Sequence, residues 1–485
     1  MTELPIELDP ASDLPLHRQV YEVLRQEIVS GRLVRGARLP STRALAEMLG
    51  VSRTTLTSTF AQLISEGYLF ATVGSGTFVS TDLPDDTAAP DDVCEPRLAG
   101  NAIRLSAYGT SVANAEPLEP PRSPGAIDFR DGRPAFDQFP YEAWRRCVAR
   151  HVRAGPNAFD YSSDPAGVLP LREAIAAYLV RARAVHCDAG DVVIVTGSQQ
   201  AIDLVARILV EPGDVVALED PGYPGAQRTF AAHGADVQGV PVDAEGLRVD
   251  LLRKLAGPVR LVYVTPSHQF PLGAVLSFSR RLELLRWAER NETIVVEDDY
   301  DSAYRYEGRP IPALQGLDTC GRTMYLGTFS KTMFPALRLG YLVVPRALRP
   351  VVVAAKAFCD RQSPTLEQRA LADFIADGSF ERHLRRMRVF YRERRAALLD
   401  ALRRHIGERA EIVGDSAGMH LVVRFTGGDQ AGLVARAHRA GVTLKPTRPH
   451  YLGCARTDEF VFGFAEHSPA TIEDGVQRLA RALGC

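Results

Sequence analysis

Four separated segments hold residues whose types and order could do carbonyl chemistry. In GTFSKTMFPALRLG, Lys331 stands among Thr328, Ser330 and Arg338. A lysine kept dry beside a cation is a nucleophile for an aldehyde, and two hydroxyls with a guanidinium are phosphate ligands in kind. Most lysines in loops are solvated surface charges, but here strongly apolar strands on both sides argue against that. In TIVVEDDYDSAY, Asp298 comes at the C-terminal edge of an apolar strand, where open α/β sheets place their ligands. A carboxylate there is costly unless a cation meets it. A protonated pyridine nitrogen would do so, and Tyr300 could donate to the phenolate oxygen of the same ring. The plainer readings of Asp298 and Asp299 are a divalent-metal site or a solvated turn; no His or Cys lies close in sequence to favour the metal. In TGSQQA, Ser198 and Gln199 open a helix and form an anion site from free N–H groups and the helix dipole, unless they only cap it. In EDPGYPGA, Tyr223 leaves a strand end where its ring could lie on a flat cofactor or simply pack.

The elements that must position these residues separate into three regions. From Ile127 onward, short β-rich runs alternate with helical patterns, the signature of a parallel α/β sheet. Residues 80–125 carry seven Pro, eight acids and three bases, and are expected to be an extended, solvated linker. Residues 14–79 are short, periodic and punctuated by Gly. A chain of 485 residues exceeds what one core usually serves. No apolar run approaches the ~18–20 residues that span a bilayer, and MTELPIELDPASD lacks the basic and apolar regions of a signal peptide. Seven scattered Cys without a C-x-x-C pair suit a reducing cytoplasm and argue against a disulfide framework or thiolate metal site.

In the first region, Leu16, Val20, Val23, Leu24 and Ile28 repeat at helical spacing. Ser41 caps a second helix that ends at Gly50, and Ser52 caps a third with Leu56, Phe60, Leu63 and Ile64 inward. Two short helices across a tight turn make a helix-turn-helix, and YLFATVGSGTFV predicts two strands, a wing. Seven Arg against four Glu give residues 14–79 a modest basic bias. The N-terminal residues of the third helix, Ser52, Arg53, Thr54, Thr55 and Thr57, are placed to reach phosphates and base edges in a major groove. The phrases GRLVRGARLPSTR, LAEMLGVSRTT, EGYL and GSGTFV resemble the GntR family of bacterial regulators. The resemblance implies contact with double-stranded operator DNA by Arg43, Arg53, Thr54 and Gly74. Thr57 departs from the family, standing where some members carry a further DNA-contacting Arg.

Over residues 125–485, the order of the four segments resembles the fold-type I aminotransferases. The fold class this implies is an α+β winged helix-turn-helix at 14–79, a linker at 80–125, and an α/β PLP-dependent transferase domain at 126–485 with large and small subdomains, the small one from about 355. The resemblance implies pyridoxal 5′-phosphate as cofactor, with Lys331 as its Schiff-base lysine, Asp298 on the pyridine nitrogen, Tyr300 on the phenolate oxygen and Tyr223 stacked on the ring. It makes Ser198, Gln199, Thr328, Ser330 and Arg338 the phosphate cup. In TPSHQFPLG, His268 stands where Asn commonly approaches the phenolate. Phe460 stands near the position of the usual carboxylate-binding Arg, so Arg448 and Arg456 are the candidate effector ligands.

The whole architecture resembles the MocR/GabR subfamily of transcription regulators, which implies a homodimer, often domain-swapped head to tail. The expected function is a PLP-dependent, DNA-binding regulator that senses PLP or an amine or amino-acid effector at Lys331. The alternative is an active aminotransferase with an appended DNA-binding domain, and a transamination half-reaction stays open in either case. A decayed cofactor site is disfavoured by Lys331, Asp298 and Tyr300 together. PLP itself, a γ- or ω-amino acid such as GABA, and a sulfonate such as taurine are the effector candidates; Gly225, with no side-chain cation for a carboxylate, tilts the choice toward vitamin B6.

Overall fold

The computed structural model describes residues 8–81 except 10, 11, 13 and 73, and residues 103–484 except 114, 116–121, 123–124, 156–159, 162–163, 307–310, 415 and 427–431. Most of the expected linker therefore lies outside the described residues; within it a short helix, Ala107–Val112, is formed and capped by Ser106. The chain divides into two compact units, Met1–Arg104 and Leu105–Cys485.

The first unit has three helices, Leu16–Val29, Thr42–Leu49 and Arg53–Ser65, and a hairpin of Leu69–Thr72 with Gly76–Val79. The side chain of Ser41 accepts from the N–H of Ala44, and that of Ser52 from the N–H of Thr55, so both caps form as the sequence predicts. Gly50 ends the second helix at φ 65°, a left-handed conformation that costs glycine nothing. Val20, Leu24, Leu45, Leu56, Phe60, Leu63 and Val79 close one small core.

The second unit is built on an eight-stranded sheet. Its order is Val192–Val195, Gly340–Val343, Thr323–Thr328, Ile294–Asp299, Val259–Val264, Val215–Asp220, Asp236–Asp243 and Gly246–Leu247. The sheet is mixed rather than parallel: Gly340–Val343 runs antiparallel to both neighbours, and Gly246–Leu247 turns back on Asp236–Asp243. The departure has a local cause. Thr323–Thr328 and Gly340–Val343 are joined by a connection that carries Lys331 and only a one-turn 3₁₀ helix, Pro335–Leu337, which cannot cross the sheet as a helix does between parallel strands. The central strands are buried and mostly apolar, Arg260 in Val259–Val264 being the exposed exception, as expected of a sheet covered on both faces. A smaller antiparallel sheet of Ala410–Val413, His420–Phe425, Glu459–Gly463 and Lys445–Pro446 packs with the helices Ser379–His405 and Pro469–Leu483.

Among the described residues, no helix is long and apolar enough to cross a membrane. Cys147, Cys187, Cys320, Cys359 and Cys454 are all free.

Candidate cofactor site and DNA-reading face

Sheet register gathers the four sequence segments. Thr328 lies opposite Gly340, and Gly340 lies opposite Val195. Two residues beyond Val195 is Gly197, and two residues before Gly340 is Arg338, so the guanidinium is carried to the start of the helix Ser198–Leu209. The backbone angle φ of 126° at Gly197 calls for glycine, and a Cβ there would also crowd an Arg338 nitrogen at 3.1 Å. On the next strand, Leu326 lies opposite Asp298. The result is a cavity of about 270 Å³ lined by Ser198, Gln199, Tyr223, Asp298, Tyr300, Thr328, Ser330, Lys331 and Arg338, with Asp131, Thr265, Phe270, Pro335 and Lys445.

Asp298 and Asp299 are adjacent in a strand and therefore face opposite sides of the sheet. Asp299 is bound by Arg183 at 2.8 Å and by the Tyr325 hydroxyl at 2.5 Å, a structural ion pair away from the cavity. Asp298 accepts from the Tyr263 hydroxyl through one oxygen, while its Oδ1 is buried without a partner. Burial pushes the Asp298 carboxyl up to about 7, against the Tyr263 hydrogen bond that lowers it, and with Asp299 and Asp301 adding to the rise. Such a carboxylate calls for a cation at Oδ1. Gln199 donates to Thr229 Oγ1 at 2.5 Å and also leaves its Oε1 unpartnered.

Lys331 is half-buried, and its Nζ donates to the Gly132 carbonyl at 2.9 Å. The Ser330 N–H is held by Thr328 Oγ1 at 3.1 Å. Tyr223 is the residue before the helix Pro224–Ala232, its ring 6.0 Å from that of Phe270. A Cβ on Gly225 would meet the Tyr223 ring at 2.5 Å, so that glycine is explained by the ring lying over it and carries no information about an effector.

His268 lies behind Tyr300 rather than in the cavity wall. Its Nδ1 is 2.9 Å from the Tyr300 hydroxyl and 3.0 and 3.1 Å from the two Asp301 oxygens. With a carboxylate beside it, Nδ1 carries the proton and donates, which frees the Tyr300 hydroxyl to donate into the cavity. Burial keeps Tyr300 well above the ordinary tyrosine range, hence protonated.

Neither Arg448 nor Arg456 reaches the cavity. Arg448 is exposed in the turn Arg448–His450, and Arg456 pairs with Asp458 at 2.8 Å on the surface. The third cation at the cavity, beside Lys331 and Arg338, is Lys445, whose Nζ is 2.7 Å from Asp131 Oδ1. Phe460 is buried against Phe425, and the strand paired with it, through Lys445↔Val461 and Pro446↔Phe460, supplies the charge instead. Lys445 is one of only four lysines in the chain, beside Lys254, Lys331 and Lys356, a rarity that marks it in the sequence. Asp131, Gly132 and Tyr263 were also not singled out by the sequence reading.

In the first unit, Arg43, Ser52, Arg53, Thr54 and Thr57 are exposed around the starts of the second and third helices, and Gly74 turns the wing at φ 80°. The Thr57 hydroxyl donates to the Arg53 carbonyl at 2.9 Å, so it is occupied within its own helix.

The comparisons with known proteins agree with both halves. Residues 125–479 match the aminotransferase class I and II family, and residues 16–79 match the gntR family of bacterial regulatory proteins. The probable rhizopine catabolism regulatory protein MocR of Rhizobium meliloti is 40% identical over 477 residues, covering 98% of this chain and 95% of its own. The pyridoxine biosynthesis transcriptional regulator PdxR of Corynebacterium glutamicum is 30% identical, over 97% of each chain. Among solved structures, the multiple substrate aminotransferase of Thermococcus profundus superposes with a TM-score of 0.69 at 30% identity, covering 75% of this chain and 92% of that one.

Proposed function

We propose that this chain, which belongs to the MocR type of GntR-family DNA-binding transcription regulators with an aminotransferase class I and II domain, uses its pyridoxal 5′-phosphate to read an amine effector. The unpartnered Oδ1 of buried Asp298, facing a cavity that also holds Lys331 and Arg338, is the observation that carries this reading.

Pyridoxal 5′-phosphate supplies an aldehyde that condenses with amines and a pyridine ring that withdraws electrons. Lys331 would hold the aldehyde carbon. Asp298 would hold a proton on the ring nitrogen, and Tyr300 would donate to the phenolate oxygen. The N–H groups and hydroxyl at Ser198, with Thr328, Ser330 and Arg338, would bind the phosphate at the positive end of the helix Ser198–Leu209. Tyr223 would limit the ring's movement from one side. Lys445, engaged with Asp131, would meet an anionic group of the effector.

An amine that competes for the position of Lys331 alters the hydrogen bond from Nζ to the Gly132 carbonyl. In the sequence Gly132 comes shortly after the linker expected at residues 80–125, so the same exchange can bias operator affinity, provided the effector prefers one arrangement over another. The regulator acts as a homodimer, arranged head to tail, which places two winged helices on two half-sites of an operator.

Borohydride treatment of the cofactor-loaded protein, followed by peptide mass spectrometry, tests the assignment. The expected result is a pyridoxyl mass on the peptide containing Lys331. A label on Lys445, the other lysine of the cavity, or no label at all, would overturn it.

A further inference from the structure

Beyond Lys331 lies a second cavity. It measures about 530 Å³, twice the cofactor cavity, and the two share Asp131, Lys331 and Pro335 in their walls. A molecule with its amine at Lys331 therefore has one direction in which to extend away from the phosphate cup. Its size falls within the range of small-molecule sites, about 300–1,000 Å³.

The chemistry of this wall is aromatic. Phe136, Phe139, Tyr141, Trp144 and Phe334 line it. Phe334 is the hub: its ring meets Phe139 at 5.1 Å and Trp144 at 5.8 Å, both edge to face. Phe139 is buried, whereas Phe334 and Trp144 are only half-buried. A planar guest ring can continue this edge-to-face array, with each added pair contributing about 0.5–1.5 kcal/mol beyond area burial.

Charge narrows the class further. An aromatic cage could also take a second cation, but Arg133 already lies over the Phe136 ring at 5.0 Å. Arg122 and Arg133 are paired with Glu466 at 2.9 and 2.8 Å, and Asp131, the acid in the described wall of this cavity, is engaged by Lys445 at 2.7 Å. That wall leaves no acid for the second ammonium of a diamine or polyamine; a neutral ring needs none.

We propose that the effector is a primary amine bearing an aromatic ring, an arylalkylamine or an aromatic amino acid, with its amine at Lys331 and its ring against Phe139, Trp144 and Phe334. The inference rests on the amine-reading function above and names the chemical class that function takes.

The test uses the full-length, cofactor-loaded protein titrated with 2-phenylethylamine, hexylamine and methylamine. Visible absorbance follows the cofactor, and the fluorescence of Trp144 follows the second cavity against the constant background of Trp287, the other tryptophan of the chain. The expected half-saturating concentration of 2-phenylethylamine is about tenfold below that of methylamine and about threefold below that of hexylamine, with quenching of tryptophan fluorescence. In Phe334→Leu, and separately in Trp144→Phe, the ratio of the 2-phenylethylamine to the methylamine response falls by about threefold or more, an internal comparison that a misfolded variant cannot mimic. Hexylamine or methylamine acting as well as 2-phenylethylamine would overturn the aromatic class and leave amine reading intact. No response to any of the three would overturn amine reading itself, and the aromatic class with it.

Discussion

The two ends of the cofactor cavity are built differently. At the phosphate and pyridine end, the groups hang from strand ends, from the first turn of a helix and from the short connection between two neighbouring strands, and sheet register sets their place: Thr328, Gly340 and Val195 lie side by side across three strands, and Asp298 lies opposite Leu326. At the effector end, the groups come from a loop and a two-residue strand far apart in the chain. Asp131 and Lys445 are 314 residues apart and meet through one ion pair, and Gly132 contributes only a carbonyl. The first end is a fixed receptacle for a constant cofactor. The second is an assembly of parts that can separate, which suits a site that must report occupancy to the rest of the molecule.

Breaking the assembled end has the largest expected effect on stability. Lys445→Met leaves the buried Asp131 carboxylate without its cation, and Asp131 is held well below the usual carboxylate range by Lys445 against the cost of burial. The expected loss is about 3 kcal/mol in denaturant unfolding, and most of it returns in the double variant Lys445→Met, Asp131→Asn. Equal losses in the single and double variants would show that the pair is not the cause.

Breaking the register-built end acts on the cofactor instead. Asp298→Asn removes the charge that meets the ring nitrogen, and the expected weakening of pyridoxal 5′-phosphate binding is about 10–100-fold, measured by absorbance titration. Unfolding of the apo protein changes far less in this variant, because Asp298 Oδ1 has no partner to lose.

A third test uses pH. His420 and His450 lie around the junction of the two ends, and burial lowers them to about 4 and about 3. Both are neutral in the folded protein near pH 6, whereas an exposed histidine takes up a proton near pH 6.5. At these two groups the unfolded chain therefore binds more protons as the pH falls below 6.5, a loss of stability toward pH 4 that the buried carboxyls of Asp298 and Glu219, both raised to about 7, oppose. The stability of the native apo chain relative to a His420→Gln, His450→Gln variant is therefore expected to decline from pH 6.5 toward pH 4, and a difference in denaturation midpoint that stays flat over that range would contradict this.

On the DNA-reading face one substitution is expected to matter and its neighbour to matter little. Arg53→Ala should weaken operator binding about tenfold or more in a gel shift, as the loss of a guanidinium contact to a base or phosphate. Thr57→Ala should change it by less than about threefold, because the Thr57 hydroxyl is spent on the Arg53 carbonyl.

The same contrast explains what could be read from the sequence. The winged helix was legible because its caps and turns are local: Ser41, Ser52 and Gly50 each act within a few residues of themselves. Segments such as TGSQQA and GTFSKTMFPALRLG were legible because one strand–turn–helix or strand–turn unit holds each functional group. Lys445 was not, since its role depends on which strand pairs with Glu459–Gly463, and Arg448 and Arg456, the cations nearest that strand in the sequence, lie outside the pairing. The tilt toward vitamin B6 from Gly225 came from a glycine whose reason is the Tyr223 ring above it. The antiparallel insertion of Gly340–Val343 was missed because apolar strands look alike in either direction.

The central claim is that amine occupancy at Lys331 changes operator binding. The direct measurement is a gel shift of the cofactor-loaded protein on DNA from beside its own gene, with and without each of 2-phenylethylamine, hexylamine and methylamine, in the native chain and in Lys331→Ala. Operator affinity is expected to change by about fivefold or more with at least one amine in the native chain and not at all in Lys331→Ala. The same change in both proteins, or a native chain indifferent to all three amines, would contradict the claim.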